Sequence, residues 1–136
     1  MYAELKRHVI PALREIGFKG SMPYPHRIDE DNHIDLLTIQ LASGGGSFVV
    51  EIGFADPERK NVYFRKETSA AKLRISQTTT LRRPGAADDC SDFWLAYDGE
   101  RPFGMTGDPS MLAETVGRLV YSQAIPWWNS RRMNGR

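Results

Sequence analysis

The sequence predicts an α+β fold: an antiparallel sheet of four to five strands, connected as a meander, with an N-terminal and a C-terminal helix packed on one face. Three observations predict this fold. Apolar residues recur at helical spacing near both ends of the chain. Between them lie short segments of alternating apolar and polar residues, separated by turns rich in Gly, Pro, Asp and Asn. Short connections favour antiparallel neighbours, and both amphipathic helices need an apolar surface that buries their stripes.

The N-terminal helix is predicted from one apolar stripe, which consists of Tyr2, Leu5, Val9, Ala12, Leu13 and Ile16. Gly17 stands where a helix-terminating glycine belongs, and Phe18 supplies the apolar contact that commonly follows it. Pro11 lies inside the stripe and lacks a backbone N–H, so we expect the helix to be kinked or split there. Residues 20–26 contain two prolines and are predicted to form a loop.

The central strands are predicted from period-two alternation. Residues 34–41 form the first strand, and residues 48–54 return antiparallel to it after a glycine-rich hairpin loop at 43–47. One side of the returning strand is apolar and should face the helices, with Phe48, Val50, Ile52 and Phe54. The opposite side carries Val49 and Glu51, and we expect it to be a wet face of mixed polarity. Further strands are predicted at 62–64, 73–81 and 93–97, followed by a loop at 99–107.

The C-terminal helix is predicted to begin after Asp108, a favourable N-cap, with Pro109 in the first helical position. Its apolar stripe extends to about Ala124, and Pro126 should end the helix because proline cannot continue the hydrogen-bonding pattern. The tryptophan pair that follows is interpreted as core packing.

Composition indicates a single domain and argues against several classes of function. The chain has 136 residues, which suits one domain, predicted over residues 1–128 with a polar, frayed tail over 129–136. A net charge of +1 provides no global field for a nucleic acid or an anionic membrane. The single cysteine, Cys90, forms no internal disulfide, which indicates a reducing compartment. We expect a cytoplasmic protein without a signal peptide or a membrane span, because no apolar stretch suits either.

No segment carries a complete motif for catalysis, metal binding or cofactor binding. Residues 29–31 begin like a calcium loop, but Ile34 replaces the required glycine and Gln40 stands where the closing glutamate belongs. Cys90 lies among three aspartates, which disfavour a reactive thiolate. Basic pairs are interleaved with acidic residues, so nucleic-acid binding is not predicted either. The sequence therefore predicts no metal and no cofactor.

Short motifs along most of the chain carry a family resemblance. They are Gly17–Phe18, Ile39–Gln40, residues 48–53, Arg74–Ile75, Asp92–Phe93–Trp94 and Trp127–Trp128. Together they resemble the bacterial family catalogued as domain of unknown function 4304. The resemblance implies a compact α+β fold and no established activity.

These observations favour a non-catalytic binding or interaction module that acts through the polar face of the sheet. An adaptor or immunity role, in which the chain neutralises a partner protein, is one such setting. We expect four residues to form the binding site on that face: Gln40, Glu51, Arg74 and Trp94. The expected partner is another protein, and a homodimer paired through a sheet edge or Trp128 remains open.

The alternative function is a small hydrolase or transferase. Its active site would be assembled from Glu51, His33 and Asp92. Such an enzyme requires these polar side chains to lie within hydrogen-bonding reach of one another in a pocket.

Overall fold

The N-terminal helix is split near Pro11, as predicted. In the computed structural model, which describes residues 1–55, 80–87, 92–101 and 103–134, helix α1 covers Tyr2–His8 and α2 covers Ile10–Glu15. Pro11 lies in the first turn of α2, where its missing N–H costs no helical hydrogen bond. Gly17 ends the helix with a φ of 94°, and the Phe18 N–H donates to the Leu13 carbonyl at 2.9 Å. The predicted glycine cap is therefore confirmed.

The described chain contains six strands, which form one sheet. They are β1 (His26–Ile28), β2 (Ile34–Leu41), β3 (Ser47–Ala55), β4 (Thr80–Arg82), β5 (Trp94–Ala96) and β6 (Gly104–Thr106). The order across the sheet is β1-β2-β3-β5-β6, and β4 pairs with β3 beyond the part that pairs with β5. All pairs are antiparallel except β5–β6, which is parallel. The structure thus confirms an α+β fold with a mostly antiparallel sheet.

Two short strands were not predicted from the sequence, and β1 begins at His26, the last residue of the predicted loop at 20–26. β1 follows Pro23 and Pro25, and both prolines accept hydrogen bonds from β2 through their carbonyl oxygens although they have no N–H to donate. β6 lies inside the predicted loop at 99–107 and begins at a glycine. Three-residue strands that pair with distant segments leave no alternation to recognise in the sequence. The predicted strand at 62–64, and residues 73–79 of the next, lie outside the described residues.

The helical C-terminus continues past Pro126, so the prediction that Pro126 ends it is wrong. Helix α3 covers Pro109–Leu119, a π-helical turn covers Val120–Ala124, and helix α4 covers Ile125–Asn134. The Asp108 carboxylate caps α3 as predicted, accepting the Met111 N–H at 2.9 Å. Proline normally clashes with the preceding helical turn. The wider π turn directly before Pro126 relieves this clash, and the helix resumes. The segment from residue 129, expected to be frayed, is helical as far as Asn134.

The helices cover one face of the sheet, as predicted, and the core lies between the helices and this face. The strands contribute Leu37, Ile39, Phe48, Val50, Ile52, Phe54 and Leu95 to it. The helices contribute Leu5, Val9, Leu13, Leu112, Val116, Trp127 and Trp128. Burial of each large apolar side chain contributes about 1.5–3 kcal/mol. We call this side of the sheet the helix face and the opposite side the reverse face.

The reverse face is less open than predicted. Four of its residues are at most 4% exposed, namely Ile34, Leu36, Val49 and Ala55. A wet sheet face would leave these positions accessible to solvent, so the prediction of a wet reverse face is wrong at these four positions. Accessible positions on this face include Gln40 and Trp94, and also Ile28 and Leu81 at the other end of the sheet.

Candidate functional site

Three of the four predicted binding residues lie on the reverse face. Gln40 pairs with Val49 across β2 and β3, and Val49 pairs with Trp94 across β3 and β5. These residues form one row across the sheet, and Glu51 lies in the next row on β3, opposite Thr38. The fourth predicted residue, Arg74, lies outside the described residues.

An arginine–tryptophan stack is the main feature of this region. The Trp94 side chain is half-buried, and the guanidinium carbon of Arg101 lies 4.4 Å from the centroid of its ring. Arg101 and Gln40 are exposed. At this distance the cation is attracted to the face of the aromatic ring, by about 0.5–1 kcal/mol at an exposed site. The stack holds a large, flat, partly accessible surface in a defined position.

A chain of ion pairs lies on the same face. Arg83 donates to the Asp92 carboxylate at 2.6 Å and lies 3.3 Å from the Glu51 carboxylate. The Glu51 side chain is 13% exposed and that of Asp92 is 51% exposed. The series of ion pairs therefore runs from the nearly buried Glu51 carboxylate to the solvated Asp92 carboxylate. The arginine beside Glu51 is Arg83, which belongs to the basic pair Arg82–Arg83 in the sequence.

We use the name binding row for six residues of the reverse face, namely the predicted binding residues and their ion-pair or stacking partners: Gln40, Glu51, Arg83, Asp92, Trp94 and Arg101. Sequence reasoning missed Arg83 and Arg101, because each contacts its partner through a turn of the chain that has no local signal.

A second polar cluster lies on the helix face, at the end of the sheet where β1 and β2 meet α4. The Asp35 carboxylate is fully buried and accepts hydrogen bonds from Arg27 at 2.8 Å and from Arg132 at 2.9 and 3.0 Å. Arg132 also donates to Asp29. The ring and backbone nitrogens of His33 lie 3.0 and 2.9 Å from the Asp29 carboxylate. We call these five residues the arginine–aspartate cluster.

Aromatic rings surround the arginine–aspartate cluster. His33 stacks on Phe54 with ring centroids 5.4 Å apart, and the guanidinium of Arg132 lies 5.7 Å from the Phe54 centroid. The guanidinium of Arg27 lies 5.3 Å from the centroid of Phe18. A buried charge is tolerated only when it is paired, and here two partly buried arginines neutralise the buried Asp35 and the partly buried Asp29.

The cluster favours the ionised form of Asp29. Burial of the carboxyl opposes ionisation, but hydrogen bonds from Arg132 and His33 outweigh it, so the pKa of Asp29 lies below its ordinary value. Burial likewise disfavours the charged form of Arg132, and its hydrogen bonds with Asp35 and Asp29 raise its pKa overall. Both groups are thus held in their charged forms.

The residues proposed for the alternative enzyme do not come together. Glu51 and Asp92 share Arg83, but His33 contacts Asp29 and stacks on Phe54. Glu51 pairs with Thr38, five residues beyond His33 along the sheet, which at strand geometry is about 16 Å. The active site predicted from Glu51, His33 and Asp92 is therefore not formed.

The tryptophan pair packs in the core, as interpreted from the sequence. Trp127 is 6% exposed and Trp128 is fully buried, with its indole N–H donating to the Gly53 carbonyl at 3.0 Å. This hydrogen bond orients α4 on β3. Trp128 is consequently not available to a second copy of the chain, which removes it as a dimer contact.

No group of three or more His, Cys, Asp or Glu side chains in the described ranges is arranged to hold a metal ion. Nor does the described part of the chain contain a helix with the length and hydropathy needed to cross a membrane.

A comparison with protein families gives one match. The family model described as "Domain of unknown function (DUF4304)" matches residues 9–130. No curated protein and no solved structure matches the chain.

Proposed function

Since the chain belongs to the DUF4304 family, whose description names no activity, we propose from the geometry of the binding row that it is a non-catalytic module that binds another protein. The observation that carries this proposal is the partly accessible Trp94 ring under the Arg101 guanidinium. Tryptophan and arginine are the residues most often responsible for binding energy in protein interfaces. Their side chains lose little conformational freedom here, because the stack is already formed.

The surroundings of the stack also suit a protein partner. Gln40 offers an amide at one end of the row, and the Glu51–Arg83–Asp92 chain offers charges of both signs on the same face. A rim of mixed polar groups around an aromatic anchor is the usual anatomy of a protein interface. An adaptor or immunity role, in which binding neutralises the partner, is compatible with such a surface.

The acidic groups support binding over catalysis. Glu51, Asp92, Asp29 and Asp35 are each held by an arginine. A general acid or base must lie within hydrogen-bonding reach of the group that it protonates or deprotonates, whereas each of these carboxylates is already paired with an arginine.

The proposal is tested by affinity capture of proteins from a cell lysate on the 136-residue chain. The captured proteins are identified and quantified by mass spectrometry. The test variant is Trp94→Ala with Arg101→Ala. The matched control is Tyr121→Ala with Arg118→Ala, which removes an exposed aromatic residue and an exposed arginine from the helical layer. Circular dichroism checks that both variants are folded.

We expect a protein that the wild type and the control retain and that the test variant retains at least about tenfold less, since loss of an anchor costs about 2 kcal/mol or more. Equal recovery of every retained protein by all three chains would overturn the proposal. So would the absence of any protein retained by the wild type.

A further inference from the structure

The two ends of the sheet differ in how the outer side of the last strand is closed. At β1, the Lys19 N–H donates to the His26 carbonyl at 2.7 Å, and the His26 N–H donates to the Lys19 carbonyl at 2.9 Å. The outer backbone of β1 is therefore partly paired. At β6, no described segment pairs with the outer side of the strand. An exposed strand edge is a template for pairing with another chain, so β6 is the end at which a further strand can be added.

The hydrogen bonds to β5 show which backbone groups of β6 face outward. The Phe103 carbonyl accepts the Trp94 N–H at 2.9 Å, and the Gly107 N–H donates to β5 at 3.1 Å. In a parallel ladder every second residue of a strand bonds to the same neighbouring strand. The N–H and C=O groups of Gly104 and Thr106 therefore point away from β5. Their two-residue spacing matches the backbone of an extended segment.

The β6 strand lacks the features that usually protect a strand edge. Charged side chains, prolines and a covering helix or loop are the common ones. The sequence of the strand is Gly-Met-Thr, which contains no charge and no proline. Gly104 and Thr106 are both exposed, so the outward positions are accessible in the described structure.

A large apolar side chain is exposed beside this edge. Phe103, directly before β6, is 76% exposed. Its φ of 57° lies in the left-handed region, which is uncommon for a bulky residue. Backbone conformations of this kind are unfavourable and are concentrated at functional sites. The exposed ring and its unfavourable backbone conformation are together a reason to expect a contact with a partner.

The β6 strand also continues the binding row. The register pairs Gln40 with Val49, Val49 with Trp94, and Trp94 with Gly104. Gly104 has no side chain, so none stands between the Trp94 ring and the open edge. A strand added beside β6 would lie about 10 Å from β5, which is two strand spacings, and its long side chains could reach the Trp94 ring.

We propose that the protein partner contributes an extended segment, which pairs with β6 as an additional strand. This inference rests on the proposed function, because the added strand and the binding row form one interface. The outward backbone groups of β6 bind the backbone of the segment, while Trp94, Arg101 and Phe103 contact its side chains. In strand addition of this kind, main-chain hydrogen bonds supply affinity and alternate side chains supply specificity.

The test uses a phage-displayed library of linear peptides as the probe, each about ten residues long, which is the upper length of a common strand. Selected peptides are synthesised, and their affinity for the 136-residue chain is measured by calorimetry. Thr106→Pro removes an outward N–H without removing a hydrogen bond to β5. Thr106→Val is the matched control, since valine keeps the N–H, the shape and the preference for strands.

We expect a selected peptide to bind the wild type and Thr106→Val equally, and Thr106→Pro at least about tenfold more weakly. Methylation of single backbone nitrogens of the peptide should weaken binding to the wild type at alternate positions, a result that does not depend on the folding of any variant. Equal affinity for all three chains, equal effects of methylation at every position, or selection of no peptide would overturn the proposal. So would a wild-type dimer that Thr106→Pro dissociates, since a second copy would then occupy β6.

Affinity capture with Thr106→Pro separates this inference from the proposed function. A protein whose capture depends on Trp94 and Arg101, but which Thr106→Pro retains as the wild type does, supports the binding row and overturns strand addition. Peptide binding that depends on the Thr106 N–H, with capture independent of Trp94 and Arg101, supports strand addition and overturns the binding row.

Discussion

At the scale of residues, the arginine–aspartate cluster shows how a fully buried carboxylate is accommodated. Asp35 is 0% exposed, yet both of its oxygens accept hydrogen bonds from arginines. A buried carboxylate left alone would cost several kcal/mol, so each arginine offsets a desolvation penalty as much as it adds attraction. In the sequence, residues 29–31 begin like a calcium loop that lacks its glycine and its closing glutamate. Asp29 instead holds Arg132 and His33 at the edge of the core.

The lowered pKa of Asp29 predicts acid sensitivity. The ordinary pKa of an aspartate is about 3.9, and the pKa of Asp29 in the folded protein is lower. The ionised carboxylate therefore stabilises the fold above that ordinary value, and the contribution is lost as the pH falls through the lowered pKa. Asp29→Asn should reduce the free energy of unfolding near neutral pH and should lose less of it between about pH 5 and about pH 3.

Urea unfolding at a series of pH values measures this effect. Glu30→Gln removes an exposed acidic group one residue away and should keep the pH dependence of the wild type. If Asp29→Asn and the wild type lose stability in parallel on acidification, Asp29 does not contribute as described.

At the scale of elements, the short strands depend on close contacts between backbones. β5 and β6 pair in parallel, with the Trp94 N–H donating to the Phe103 carbonyl at 2.9 Å and the Gly107 N–H donating to Ala96 at 3.1 Å. A Cβ atom at Gly104 would lie 1.9 Å from the Trp94 carbonyl oxygen. Only glycine allows this approach, and β6 in turn supports the strand that carries Trp94.

Gly104→Ala should therefore separate β6 from β5. Because the contact involves backbone that cannot rotate away, we expect a loss of about 1–3 kcal/mol in the free energy of unfolding. Amide hydrogen exchange at Trp94 and Gly107 should also become faster. Gly44→Ala is the control, since no heavy atom lies within 4 Å of a Cβ built there, and it should change stability by less than about 0.5 kcal/mol. If the two variants have the same free energy of unfolding, the close contact at Gly104 does not stabilise the fold and the prediction is wrong.

At the scale of the whole molecule, the C-terminal helix ties distant parts of the chain together. Arg132 contacts Asp29 and Asp35, which lie 103 and 97 residues earlier in the sequence. Trp128 reaches the backbone of β3. Residues 129–134 are thus part of the folded unit, and the boundary predicted after residue 128 excludes one of the residues that neutralise Asp35.

Deletion of residues 129–136 should therefore destabilise the protein. The truncated chain keeps Trp128 but loses Arg132, which leaves Asp35 with Arg27 alone, and removal of one partner from a buried pair costs about 3–5 kcal/mol. Urea unfolding measures the loss, and Arg132→Met in the full-length chain should reproduce most of it. An unchanged unfolding midpoint for the truncated chain would show that the tail is dispensable and that residues 1–128 form the complete domain.

Several features could be predicted from the sequence because their causes are local. The glycine cap at Gly17, the split at Pro11 and the N-cap at Asp108 each depend on a few neighbouring residues. The helix face of β3 follows from alternation over consecutive residues. Placement of Gln40, Glu51 and Trp94 on the reverse face followed from the same alternation once the strands paired as expected.

Other features had no local signal. Pro126 was expected to end a helix, and no nearby sequence pattern indicates the π turn that accommodates it. β1 and β6 are too short to alternate visibly. The partners of Glu51 and Trp94, which are Arg83 and Arg101, depend on how loops fold back over the sheet.

By itself, then, the sequence determined the α+β class, the ends of the first helices and strands, and the apolar side of the sheet. Each of these depends on backbone preferences and apolar spacing within a few turns of chain. The tertiary structure alone decided that the reverse face is partly closed and that Asp35 and Arg132 meet in the core. These features require residues far apart in sequence to come together, and only the packed chain supplies that proximity.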